Sequence, residues 1–176
     1  LSKLTISEAL AGLKKKKFSS VELVRSCLDR INQVDAKIKA FIMVCETEAL
    51  KSTKNVEKPL LGIPIAVKDV FCTLGIRTTA ASNVLKDFLP PYEATVVEKL
   101  KQAGAIILGK TNLDSFCHGS STETSDFFTT KNPWNLERLP GGSSGGSAAA
   151  IAANETIGSI GTETAGSIRQ PAAWCG

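Results

Sequence analysis

Two short segments of this 176-residue chain match patterns that carry nucleophilic or phosphate chemistry. GGSSG, residues 141–145, satisfies GxSxG, the sharp turn that presents a serine nucleophile in α/β hydrolases. That turn relies on a histidine later in the chain to take the serine proton. His118 is the only histidine and precedes Ser143, so a triad of that order cannot be assembled. Nor do Cys117 and His118 make a catalytic pair, because adjacent residues on an element point in different directions. His118 reads as a polar residue flanking a helix. GAIILGKT, residues 104–111, satisfies the phosphate-loop pattern GxxxxGK[ST]. A phosphate cradle needs free backbone N–H groups between its glycines, whereas Ala105, Ile106, Ile107 and Leu108 read as a buried strand. Lys110 is therefore expected in the turn that follows a core strand, with no ATP bound there.

With histidine excluded, a serine nucleophile would need another base, and lysine serves in Ser-Lys variants. Lys68 ends the apolar run IPIAV. Loss of water there would lower an ammonium pKa from about 10.4 toward neutrality, and only the neutral amine accepts a proton. The competing reading of Lys68 is an ion pair with Asp69 at a strand end. The Gly-Ser segment runs directly into SAAAIAA, a strong helix former, so it reads as the approach to a helix N-terminus and not as a linker. Further on, GTETAGSIRQPA places Ser167 between a glycine-containing turn and a new helical start. Consecutive N–H groups in such a turn can form an oxyanion hole.

These groups need a scaffold, and the pattern supplies one. Ser19 and Glu22 form a capping box before an amphipathic helix that stripes Val24, Cys27, Leu28 and Ile31, with a shorter helix expected around Ile6 to Leu13. KAFIMV reads as a strand, ETEALKSTK as a helix, and GIPIAVKDVF as a buried strand. EATVVEKLKQAG reads as a helix closed by Gly104, AIILG as a strand, and TNLDSF as another helical start. This alternation predicts a sheet covered by helices, in the α/β class. From Gly119 to Gly146 the composition turns to small polar residues, a length of irregular chain that is functional or disordered.

Composition narrows the remaining possibilities. A net charge of +4 is mild, and the run Lys14 to Lys17 reads as a solvated helix end, with a tRNA contact as the alternative. Five scattered cysteines show no metal-binding or disulfide spacing, so reduced thiols in a cytosol or organelle matrix are expected. No apolar run is long enough to cross a bilayer. The chain starts at Leu1 and stops directly after AAWCG, which reads as a piece of something longer.

GIPIAVKD, PPYEATVVEKLKQAGAIILGKTN, NPWNLERLPGGSSGGSAAA and GSIRQPAAWCG follow one another with 75 residues from Lys68 to Ser143 and 24 from Ser143 to Ser167. By these ordered motifs the sequence resembles the amidase signature family, and within it the branch that works in tRNA-dependent amidotransferases. The resemblance implies a mixed sheet core covered by helices, incomplete at the C-terminus. The 176 residues would then be one N-terminal portion of an amidase domain, with a helical region over about 1–58 and a catalytic sheet region over about 59–176. Ser167 would be the nucleophile, Ser143 a bridging serine on a cis peptide, and Lys68 the base that takes the proton through Ser143. Backbone N–H groups of Thr164, Ala165, Gly166 and Ser167 would hold the oxyanion, with no metal and no cofactor in this chain. Glutamine would be hydrolysed through a glutamyl ester, and the ammonia passed on within a complex with subunits B and C. A partner subunit would use ATP and Mg to amidate Glu-tRNA(Gln), placing tRNA, but no membrane, among the partners. A stand-alone amidase and a silent scaffold that docks partner subunits are the alternatives. Ala165 and Glu163 depart from the family's usual glycine and aspartate.

Overall fold

The computed structural model describes residues 1–54 and 57–176. Its first two helices begin where reciprocal caps satisfy their free N–H groups. Thr5 and Glu8 cap α1 (Ile6–Lys14), and Ser19 and Glu22 cap α2 (Ser20–Ile38). The lysine run ends α1 with all four side chains exposed, and Lys16 turns the chain at φ 52°. Helix α2 buries Leu23, Val24, Cys27, Leu28 and Ile31 in the main core. There follow β1 (Phe41–Val44), α3 (Glu46–Lys51), β2 (Pro64–Lys68), α4 (Thr95–Gln102) and β3 (Ile106–Thr111). The chain continues through α5 (Gly145–Ala152), β4 (Gly158–Ile160) and α6 (Arg169–Cys175).

The sheet order is β1-β3-β2-β4, a mixed arrangement in an α/β fold. Strand β2 lies parallel to both β3 and β4, while β1 runs antiparallel to β3. Three parallel strands thus finish on one edge, where Lys68 pairs in register with Thr111 and Val67 with Ile160. In open α/β sheets this carboxyl edge is where ligands bind. Helix α5 packs onto it through Gly146, where a Cβ would lie 2.5 Å from Asn112 O and 2.6 Å from Ala40 O. Among the described residues no helix is long and apolar enough to cross a membrane.

One expected helix is absent. TNLDSF yields only a 3-10 turn, Ser115–Cys117, with Phe116 at φ 49°. The segment begins inside β3, Asn112 N–H donates to Ala40 O (2.8 Å), and Asp114 is extended (φ −66°, ψ 135°), its N–H donating to Ser143 O (3.2 Å) and its carboxylate accepting from Ser121 N (3.0 Å) and Thr124 Oγ1 (3.0 Å). The irregular stretch that follows is held by polar contacts. Buried Asn112 donates to Phe128 O (2.8 Å) and Thr130 Oγ1 (3.0 Å), and Thr130 Oγ1 donates to Lys39 O (2.7 Å).

Glu155, between α5 and β4, is fully buried beside the carboxyl of Asp35, and neither of its oxygens meets a donor among the described residues. Burial and the charge of Asp35 push it from 4.5 to about 9, with Arg30 offsetting part of the shift. The unfolded chain releases this proton near pH 4.5, while the folded chain holds it to about pH 9. More protons are bound in the folded state across that window, so stability falls as pH rises through it. Glu155→Gln is therefore expected to raise Tm at pH 8 and to change it little at pH 5. Equal Tm shifts at both pH values would show that the titration is not linked to folding.

Candidate active site

Lys68, the last residue of β2, is 0% exposed and lies in the middle of the carboxyl edge. Its Nζ donates to Ser143 Oγ (2.8 Å), Ser144 Oγ (2.9 Å) and Thr162 Oγ1 (2.8 Å). The alternative pairing with Asp69 does not form. Successive strand residues face opposite sides of a sheet, and Asp69 meets Lys110 instead, at 3.3 Å. Lys110 also donates to Thr78 Oγ1 (2.7 Å) and Phe71 O (2.8 Å). It is wholly enclosed in β3, so the strand runs on through the expected turn and the phosphate-loop match lies in the core.

Burial pushes the Lys68 ammonium below its ordinary pKa, while Cys117 and Asp114 pull it part of the way back. As an ammonium, Lys68 donates to all three hydroxyls. As a neutral amine it keeps two donors and turns its lone pair to the third. Ser144 already donates to Thr162 O (3.1 Å) and Thr162 Oγ1 also meets Cys117 Sγ (3.5 Å), whereas Ser143 makes no other side-chain hydrogen bond among the described residues. Ser143 is thus the hydroxyl free to donate to the neutral amine. It is fully buried, and the Gly142–Ser143 peptide is cis.

Ser167 lies on the segment between β4 and α6 and is half-buried. The Ser144 N–H donates to Ser167 O at 3.0 Å, which joins the two serine loops. No hydrogen bond between the Ser143 and Ser167 hydroxyls is present among the described residues. The turn before Ser167 is shaped by Glu163, whose carboxylate accepts from Ile168 N (2.9 Å), Arg169 N (2.8 Å) and the Arg169 guanidinium. These bonds, the Arg169 N–H first, hold Glu163 below the usual carboxylate range. The N–H groups of Thr164, Ala165, Gly166 and Ser167 meet no acceptor among the described residues. Gly166 sits at φ 119°, where only glycine is comfortable, but Ala165 is exposed with an ordinary negative φ. Its methyl group therefore fits without backbone strain.

His118 is exposed, bonds through Nδ1 to Phe116 O (2.9 Å) and flanks the 3-10 turn. Sequence reasoning missed Ser144, Thr162 and Cys117. Parallel pairing of β4 with β2 brings Thr162 to Lys68, and Cys117 Sγ lies 3.5 Å from Thr162 Oγ1. Two parallel segments ending at one edge were the available signal for Thr162. Among the described residues no group of three or more His, Cys, Asp or Glu side chains is placed to hold a metal ion.

The amidase family model matches residues 22–176. The A subunit of glutamyl-tRNA(Gln) amidotransferase from Dehalococcoides mccartyi is 55% identical over 99% of this chain, which spans 38% of that relative. The solved A subunit from Thermotoga maritima superposes with a TM-score of 0.87 at 46% identity, covering 99% of this chain and 37% of its own. The peptide amidase of Stenotrophomonas maltophilia gives 0.88 at 32% identity, covering 98% and 38%. The chain thus spans about 38% of the length of the curated relatives it matches. A match of this extent, on a fold that gathers Lys68, Ser143 and Ser167 at one sheet edge, makes the chain a member of the amidase family.

Proposed function

We propose that the full-length protein is a glutaminase that releases ammonia from glutamine by a Ser-Ser-Lys mechanism. The observation that carries this reading is the buried Lys68 Nζ, 2.8 Å from an otherwise unengaged Ser143 hydroxyl. Neutral Lys68 takes the Ser143 proton as Ser143 takes that of Ser167, and Ser167 Oγ attacks the amide carbon. The N–H groups of Thr164 to Ser167 receive the charge developing on oxygen. The proton then returns through Ser143 to the leaving nitrogen, and the C–N bond breaks to give ammonia and a glutamyl ester. Water cleaves the ester along the same relay.

Glutamine and a tRNA-linked role are supported by relatives at more than half identity, each the A subunit of a glutamyl-tRNA(Gln) amidotransferase. On this reading subunits B and C complete the complex, and ATP and Mg serve the partner subunit that amidates Glu-tRNA(Gln). The likeness to peptide amidase favours a second reading, a stand-alone amidase of other amides. Ammonia release by the full-length protein distinguishes the two. Glutamine should be cleaved with a kcat/KM at least tenfold above that of C-terminal peptide amides, and the reverse order would overturn the glutaminase reading.

A further inference from the structure

Helix α6 makes a second connection to the Ser143 loop that the relay itself does not use. Gln170 lies three residues after Ser167, in the first turn of α6. Its side-chain amide faces two carbonyl oxygens. With Nε2 turned toward them it donates to Gly142 O at 2.8 Å and Ser120 O at 3.3 Å. In the opposite orientation Oε1 would face the same two carbonyl oxygens with only a long contact from the Gly142 N–H (3.4 Å) to set against them, so the two shorter bonds assign the donor. Gly142 C=O belongs to the peptide that leads into Ser143. On the far side, Ser143 O accepts from Asp114 N (3.2 Å) and Ser144 N donates to Ser167 O (3.0 Å).

Docking of the helix does not account for Gln170. The other end of α6 is already tied down, by Asn132 Nδ2 to Trp174 O (2.9 Å), Trp134 Nε1 to Cys175 O (2.5 Å) and Cys175 Sγ to Pro140 O (3.6 Å). The Gln170 contacts go instead to the backbone that aims the relay serine.

We infer that Gln170 is a positioning residue: its amide, bridging Gly142 O and Ser120 O, fixes the peptide from which Ser143 Oγ meets Lys68 and ties it to the segment that presents Ser167. The inference rests on the proposed relay through Ser143. A misplacement of about 1 Å in such a site costs on the order of a hundredfold in rate.

The test uses the full-length protein with glutamine. Gln170→Leu, which keeps the bulk and removes the donor, should lower kcat by about 30- to 100-fold, with KM within about twofold and Tm within a few degrees. Gln170→Glu keeps the shape even better and should lose as much at pH 8. Its kcat relative to the parent should recover as pH falls, because a protonated carboxyl again donates to Gly142 O. On a Ser143→Ala background, Gln170→Leu should cost less than twofold, since its target is already gone. Unchanged kcat in both single variants, an equal loss with and without Ser143, or a kcat loss explained by a fallen Tm would overturn the inference. A Ser143→Ala protein with parental kcat would instead remove the relay reading, and the positioning role with it.

Discussion

Lys68→Met in the full-length protein is expected to reduce amide hydrolysis by at least 10² to 10⁴, the range that general acid-base catalysis supplies. Methionine is the informative replacement because Lys68 is fully enclosed, and alanine would add a cavity to the loss of the amine. The folded state should survive, as judged by an intact cooperative thermal transition. A pH profile adds a second readout. Activity requires neutral Lys68, so kcat should rise with pH, and burial places that ascending limb below the ordinary lysine value of 10.5. The limb should vanish in any residual activity of Lys68→Met. Near-parental turnover in a folded variant would reject Lys68 as the base.

Much of the architecture was legible because local chemistry and tertiary need agree. The capping box at Ser19, the apolar strand ending at Lys68, the buried strand through Ile106, Ile107 and Leu108, and the small-residue helix after Ser144 stand where their patterns put them. Lys68, Ser143 and Ser167 could be singled out for the same reason: each falls at the junction of two elements. Contacts between elements far apart in sequence were not legible. Asp69 could be read against its neighbour Lys68, but strand alternation and register give it to Lys110, 41 residues on. The order of the 119–140 region is invisible to periodicity because it depends on Asn112 and Asp114, single polar side chains that satisfy distant backbone. Asp114 also shows how a local helix signal fails, since β3 runs into the segment and leaves Asp114 extended against the Ser143 loop. Thr162 and Ser144 acquire meaning only once β4 is known to lie parallel beside β2.

The acyl group of a trapped intermediate is expected on Ser167 and not on Ser143. The two serines differ in what surrounds them. Ser143 is completely buried, with its hydroxyl on Lys68, whereas Ser167 is half-buried beside a turn whose N–H groups stand free of protein acceptors among the described residues. A group that must meet a carbonyl carbon needs the second environment, and a group that only passes a proton can occupy the first. Incubating the full-length protein with an acylating amide analogue and mapping the adduct by peptide mass should place it in the peptide containing TAGSIR. Ser167→Ala should give no adduct, while Ser143→Ala should acylate slowly, because water can partly replace a relay hydroxyl but not a nucleophile. An adduct on Ser143 would invert the assignment. The same assay tests the turn. Ala165 has an ordinary backbone conformation and an exposed methyl group, so Ala165→Gly should leave the acylation rate within a few-fold of the parent. A tenfold or greater gain would mean that the methyl group obstructs the oxyanion position, and that the turn limits the nucleophile more than the Lys68 relay does.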